Sequence, residues 1–317
     1  MGFQEVFPEI LEKTYSNCHT LKENPFMSSI LLNSRLFGDK IICLPFLDTI
    51  KVNLKKIKED LDKIVGAYEN KKIEVRLSEF DPNFKKLKKI FTKNGFSENI
   101  VKGHIISNLT SEEEIWKNFH KHTRNDIRKS EKGGLTIKKM DSIEELKRFY
   151  GLYLSQMKKF GTPQHSFNFF KNCFGLMKEN FYGLNCYLKN NLVGSIILFI
   201  EGDYGYVSFN VSETKYLNLR VNDLLYWNVI KGCIGRKIKY FDIGQVDLEV
   251  KENTREESLL KFKKKWLGEV YNKVYFTKNF TYDSAKKDSL KKFRAIWRKL
   301  PLVLIRIIGP KICSQLG

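Results

Sequence analysis

The tightest constraint on the fold lies past the middle of the chain. Three runs rich in β-branched and aromatic residues, 182–188, 193–200 and 204–211, are separated by four residues at most. A parallel pairing needs a crossover of about a dozen residues or more, so strands this close can pair only as an antiparallel meander. Asn190-Asn191 and Glu201-Gly202-Asp203 supply the tight turns such a meander needs.

Helical periodicity surrounds these strands. Phe3, Val6, Phe7, Ile10, Leu11 and Tyr15 share one face of an opening helix. Residues 28–32 and 41–44 read as strands around Gly38-Asp39, and Leu54, Ile57, Leu61 and Ile64 mark a helix after them. Residues 72–77 alternate as a strand, Phe84, Leu87, Ile90 and Phe91 form a helical stripe, and 96–107 close the first half as a strand. Thr110-Ser111 before Glu113-Glu114 is a capping signal for a helix running to Gly133-Gly134. A strand follows at 135–140, then a helix from Ser142 carrying Leu146, Phe149, Tyr150, Tyr153 and Met157, a shorter one over 166–179 and, after the meander, a helix at 221–234 and a strand at 240–243.

The class is therefore α+β, with two similar halves of mixed, largely antiparallel sheet flanked by helices, the first abbreviated. The expected division is 1–108, 109–280 and a basic amphipathic tail at 281–317. No Gly/Ser- or Pro-rich linker separates these parts.

Charge narrows the partners. The chain has 56 Lys and Arg against 36 Asp and Glu, a formal net charge of +20, which favours anionic partners such as RNA, cofactor phosphates or acidic lipid headgroups. Six cysteines lie far apart without a CxxC pair, and the histidines are scattered, so the expectation is a reduced protein in the cytosol with no metal site. No apolar stretch reaches the ~18 residues of a spanning helix.

Two segments carry candidate chemistry. Lys117, Lys121, Arg124 and Arg128 fall on one face of the helix beginning near Thr110, a possible anion cradle or a solvated face. Residues 259–268, LLKFKKKWLG, set cations around Phe262 and Trp266 at i, i+4, which packing alone explains as well as function does.

Taken together, these segments resemble the FemABX and BioF2-like acyltransferases. Residues 116–129, WKNFHKHTRNDIRK, are similar to the helix that opens the family's second GNAT-like domain. YFDIG at 240–244, followed by FKKKWLG from Phe262, resembles its FDFG-like strand and Phe-Lys segment, and SRLFG with LPFLD in 31–48 resembles the first domain. The likeness spans about residues 26–278 and departs at Leu267, where a glycine is usual, and after Asp48, where no Tyr-Gly-Gly follows.

The resemblance implies two tandem GNAT-like domains and transfer of an activated aminoacyl or acyl group onto an amine of an envelope, polysaccharide or lipid-linked precursor. It places Lys263 at the catalytic centre with Phe262 beside it on the substrate. Asp242 is a second catalytic candidate, as proton acceptor or as a local strand-end ligand of backbone. Arg124, Arg128, Lys121, Tyr206, Asn210 and Asn222 are substrate-binding candidates, and Asn222 or Asp223 could instead cap the 221–234 helix.

No tightly bound cofactor is expected; the donor is aminoacyl-tRNA or acyl-CoA. The chain reads Asn218-Leu219-Arg220-Val221-Asn222 where GNAT enzymes carry a pyrophosphate loop, which weakens the CoA option. A GNAT-type acyl-CoA N-acetyltransferase and a non-catalytic RNA- or membrane-binding protein remain alternatives, with no DNA among the expected partners. The tail, 284–308, sets Leu290, Phe293, Ile296, Trp297 and Leu300 amid cations before a short apolar run. It suits either an anionic membrane surface, which would make the protein peripheral, or the chain's own domain.

Overall fold

The computed structural model describes residues 3–22, 27–45, 53–280 and 287–316. Residues 46–48 of the LPFLD match and the first residues of the expected 284–300 helix lie outside them.

In chain order, helix α1 (Phe3–Thr14) precedes strands β1 (Cys18–Thr20), β2 (Met27–Leu32) and β3 (Lys40–Pro45), helix α2 (Leu54–Ala67), strand β4 (Lys72–Ser78), helix α3 (Phe84–Lys93) and strand β5 (Ser97–Asn108). Asn53 caps α2 by accepting from the Lys56 amide at 3.1 Å. Ile57, Leu61 and Ile64 then face inward, as their spacing predicts.

The second half brings helices α4 (Glu112–Asn118) and α5 (Lys121–Lys132), strand β6 (Leu135–Lys139), and helices α6 (Ile143–Phe160) and α7 (Phe167–Met177). Strands β7 (Phe181–Leu188), β8 (Asn191–Glu201) and β9 (Tyr204–Ser212) form the meander. Helix α8 (Val221–Gly235), strand β10 (Tyr240–Val246), helix α9 (Arg255–Lys264), strand β11 (Glu269–Lys278) and helices α10 (Lys287–Lys299) and α11 (Leu302–Leu316) complete the described chain.

These elements gather into two compact units. The first comprises residues 1–102, 158–176 and 271–317. Its strands run β1-β2-β3-β4-β11: antiparallel to β3, parallel from β3 to β4, antiparallel to β11. Ile41, Leu61, Ile73, Val75, Phe91 and Phe276 are among its core residues. The second unit comprises residues 103–157 and 177–270. Its strands run β6-β7-β8-β9-β10-β5, antiparallel except for the parallel β9–β10 step.

The order strand-strand-strand-helix-strand-helix-strand thus occurs twice, as β1-β2-β3-α2-β4-α3-β5 and as β7-β8-β9-α8-β10-α9-β11. The last strands are exchanged: β5 pairs with β10, and β11 pairs with β4. Because of this exchange, the compact units do not follow the expected division at 108/109, and both 271–280 and the 281–317 tail belong with the first unit.

Three further differences concern single elements. The single helix expected over 110–133 breaks into α4 and α5 at Phe119, whose extended backbone (φ −62, ψ 140) turns its ring into the core. Strand β11 was not expected from EVYNKVYFTK, which does alternate in part, and the apolar run after Pro301 is the start of α11. The tail's apolar side chains do reach a core, since Trp297 and Ile305 are buried in the first unit. Among the described residues, no helix is long and apolar enough to cross a membrane.

Candidate active site

The centre of the second unit is the parallel step between β9 and β10. It is paired over only three positions, Tyr240↔Tyr204, Phe241↔Gly205 and Asp242↔Tyr206, after which the ladder ends although both strands continue. Two irregularities flank this end: β9 skips register against β8 between Val207 and Phe209, and β10 skips against β5 between Asp242 and Gly244. Such bulges bend strands and re-aim side chains.

Asp242 sits at the last paired position and is 2% exposed. A buried carboxylate is costly unless hydrogen bonds replace its water. Here Oδ2 accepts from Tyr204 Oη at 2.7 Å and lies 2.7 Å from His104 Nδ1, while Oδ1 accepts from the Gly244 amide at 2.7 Å. A carboxylate in this place assigns the imidazole proton to Nδ1. Burial first, and then the charge and hydrogen bond of Asp242, push the Tyr204 phenol well above its ordinary value, so it remains a neutral donor. Burial, followed by the charge of Asp242, also raises Tyr226.

Lys263 reaches the same place from α9. Side chains cap the start of this helix: Thr254 Oγ1 accepts from the Glu257 amide and Glu257 Oε2 from the amide of Asn253, just before the cap, at 3.2 and 3.1 Å. Its aromatic side locks it down: Tyr226 and Trp266 stack at 5.5 Å, and Phe262 meets Tyr226 edge-on at 5.2 Å. Phe262 and Trp266 are 6.0 Å apart, so the packing expected from their spacing is present. With that face buried, Lys263 projects toward β10, where Nζ donates to the Gln245 carbonyl at 2.9 Å and the residue is 9% exposed.

Gly244 makes this approach possible. Its φ of +97 lies where side chains are strained, and a Cβ there would stand 3.0 Å from the Lys263 ammonium. Asp242, Gly244 and Lys263 therefore form one cluster of carboxylate, glycine gap and oriented cation.

The remaining candidates divide. Tyr206 lies opposite Asp242 with its ring edge-on to Phe199 at 5.7 Å. Asn210 Nδ2 donates to the Ser195 carbonyl at 3.3 Å and to Asn222 Oδ1 at 3.4 Å, which links β9 to the first turn of α8. The stripe Lys117, Lys121, Arg124, Arg128 does not persist as one face, because the helix breaks within it. Arg124 Nη1 donates to the carbonyls of Trp116, Lys117 and Phe119 and so closes the end of α4, while Arg128 stacks its guanidinium 5.4 Å from the Trp116 ring. Lys121, at the start of α5, is exposed.

Neither Asn222 nor Asp223 caps α8; its N-cap is Arg220 in the left-handed region (φ 59), with no side-chain cap. Asp223 is buried and bonded to Lys265, which lies 3.8 Å from Asp126; Asp126 in turn holds Arg220 at 3.0 Å. Burial raises the Asp223 carboxyl and the Lys265 charge opposes that rise. The positive end of α8 thus faces two of the chain's own carboxylates, with cations bound to them.

Residues 117–252 match the family model described as acetyltransferase (GNAT) domain. This stretch, less than half of the chain, is thus similar to a GNAT acetyltransferase domain. The matched stretch contains Asp242 and Gly244 and ends before α9. No curated protein sequence matches the chain. Among solved structures, it is similar to FemX, with 12% identity, TM-score 0.68, 86% of this chain and 91% of that one covered. It is also similar to L-PGS from Bacillus licheniformis, with 11% identity, TM-score 0.61, 95% and 97% covered. At these identities the structural likeness concerns the fold: α+β, of the GNAT kind.

Of the residues singled out from the sequence, Asp242 and Lys263 meet around Gly244, while Phe262 packs on Tyr226 and Trp266. Sequence reading missed His104, Tyr204 and Gly244 as partners. His104 had one legible signal, a single imidazole inside the apolar run of β5.

Proposed function

We propose that the protein is an aminoacyltransferase that moves an amino acid from the ester of aminoacyl-tRNA onto an amine of an envelope, polysaccharide or lipid-linked precursor. The observation that carries this reading is the Lys263 ammonium, fixed 2.9 Å from the Gln245 carbonyl beside Gly244, at the place where the β9–β10 ladder ends.

An activated ester needs no covalent nucleophile on the enzyme. The acceptor nitrogen attacks the ester carbonyl carbon, and negative charge develops on that carbonyl's oxygen. A C–N bond forms, the bond from the carbon to the tRNA oxygen breaks, and one proton passes from nitrogen to the leaving oxygen. Lys263 stabilises the charged oxygen. Its anchor on Gln245 holds the ammonium in place before substrate arrives, which is the condition for a large electrostatic effect. Asp242, already held by Tyr204, His104 and Gly244, keeps the strand and the imidazole in place; this favours the positioning role over proton acceptance.

Two features support tRNA over a CoA thioester as donor. The start of α8 faces Asp223 and Asp126, and a pyrophosphate there would meet their charge. A groove lined by Arg128, Lys129, Lys132 and Leu219 offers clustered cations suited to a phosphate backbone. The reading also treats the repeated strand-helix order as a duplicated GNAT-like unit in which the second copy performs the chemistry.

The test offers aminoacyl-tRNA and acyl-CoA separately, with a panel of amines, and follows transfer by mass. Transfer from aminoacyl-tRNA alone is expected. Transfer from acyl-CoA alone would replace this reading by an N-acyltransferase. Binding of RNA without transfer of any group would leave a non-catalytic protein.

A further inference from the structure

The tail of the first unit has two sides. Inward, Trp297 and Ile305 are buried, Gln164 Nε2 donates to the Ile305 carbonyl at 2.7 Å, Arg298 Nε donates to the Lys159 carbonyl at 3.1 Å, and Asn17 Nδ2 reaches the Ser314 carbonyl at 3.0 Å. A Cβ on Gly309 would run into the Gln164 side chain, so the helix and its support are in close contact. The tail is therefore held in place.

Outward, the same helices leave large apolar side chains in solvent. Val303 is 69% exposed, Ile296 63% and Ile307 57%, with Leu302 and Leu304 also exposed. Val303 and Ile307 are one helical turn apart on α11 and share a face. A fixed helix that docks one side and still exposes this much apolar surface marks an interaction site.

Charge identifies the partner. From Arg294 to the end of α11 the chain carries Arg294, Arg298, Lys299, Arg306 and Lys311 and no Asp or Glu. Arg294, Arg298, Lys299, Arg306 and Lys311 are all exposed. A second copy of this chain packing face to face would bring these cations against their own equivalents, which like-charge repulsion disfavours. A surface that is anionic at its rim and apolar beneath satisfies both halves of the patch.

We propose that the outer face of α10 and α11, centred on Ile296, Val303 and Ile307, is a peripheral binding surface for anionic phospholipid membranes. The apolar side chains enter the headgroup–acyl boundary while the five cations remain at headgroup level. The helices lie along the surface and stay docked on their own unit. This inference does not depend on the transfer chemistry proposed above.

Vesicle sedimentation of the full chain tests it, with phosphatidylcholine vesicles beside vesicles containing about one third phosphatidylglycerol. The wild type is expected to sediment with the anionic vesicles and to be released by high salt, as a cation-dependent surface requires. Val303→Glu with Ile307→Glu is expected to reduce the bound fraction at least tenfold with unchanged thermal melting. Both positions are solvent-exposed, so folding is unaffected. Arg306→Glu with Lys299→Glu provides a second variant, expected to weaken anionic binding without creating affinity for neutral vesicles. Equal binding of wild type and the Val303/Ile307 variant would overturn the proposal. So would a patch-dependent dimer in sedimentation velocity without lipid binding.

Discussion

Strands β4 and β10 occupy the same place in the two repeats and read KIEVRLS and YFDIGQV. The third residue of each is a buried carboxylate, Glu74 in one and Asp242 in the other. Each carboxylate is met from the residue that starts the neighbouring parallel pairing and from the position two residues along its own strand. For Glu74 these are Lys40 Nζ at 3.4 Å and Arg76 Nε at 2.6 Å. For Asp242 they are the Tyr204 hydroxyl and the Gly244 amide, both at 2.7 Å. The first strand closes on an ion triad. The second uses neutral donors at these two positions and, by placing glycine where the first has arginine, leaves room for a cation from the following helix.

The helices carry the contrast further. Four residues before the left-handed residue that ends α3, Gly95, stands Phe91, buried against Phe276 at 5.2 Å. Four residues before the left-handed Leu267 after α9 stands Lys263. One framework thus yields a packed core in the first copy and an oriented ammonium in the second. The difference lies in two substitutions of kind, arginine to glycine and phenylalanine to lysine.

The largest effect is expected from making the second copy resemble the first. Gly244→Arg would fill the gap in front of Lys263 and abolish transfer. Gly244→Ala, which puts a single carbon 3.0 Å from Nζ at a positive φ, should lower kcat about 10²-fold by displacing the ammonium. Transfer rates normalised to folded protein, measured by circular dichroism, check both.

The first unit should answer to stability instead. Its half-buried His165 accepts or donates at 2.8 Å with Tyr15 Oη and stacks on Phe169 at 4.1 Å, and desolvation holds its pKa at about 4 against an ordinary 6.5. The folded state therefore keeps it neutral while the unfolded chain takes up a proton below 6.5. That contribution is complete above 6.5 and is lost as pH falls toward 4, by about 3 kcal/mol. Urea titrations of wild type and His165→Phe across this window should show a pH-dependent difference; parallel curves would refute it.

Glu74→Gln is expected to destabilise by about 2 kcal/mol, below the roughly 3–5 of a fully buried pair because both cations keep some water. It should leave transfer per folded molecule unchanged, which calorimetry and the transfer assay together would show. The smallest effect belongs to Tyr204→Phe, which removes one hydrogen bond to Asp242: about 1 kcal/mol of stability and a several-fold loss of kcat. A Glu74 variant that lost activity while folded would erase the distinction between the copies.

Much of this framework could be read from the residues. The meander followed from run lengths and turns, and Asp242, Phe262 and Lys263 from ordered segments. What escaped depends on contacts between residues distant in sequence. Phe119 ends α4 because its ring packs on Trp227 and Trp266, each at 5.5 Å, which no local propensity records. β11 was not expected because what completes it is its pairing with β4, nearly 200 residues away in the chain. His104 and Tyr204 became partners of Asp242 only through the pairing of β5 and β9 with β10. The expected stripe ending in Arg124 and Arg128 needed an unbroken helix, and it fails where Phe119 interrupts it.

The central claim is that Lys263 acts on the developing oxyanion in the second copy. Single-turnover transfer from aminoacyl-tRNA by Lys263→Met, beside wild type at matched thermal stability, tests it most directly. The variant is expected to lose about 10²–10³-fold in the chemical step with donor binding nearly unchanged. Transfer within threefold of wild type would contradict it.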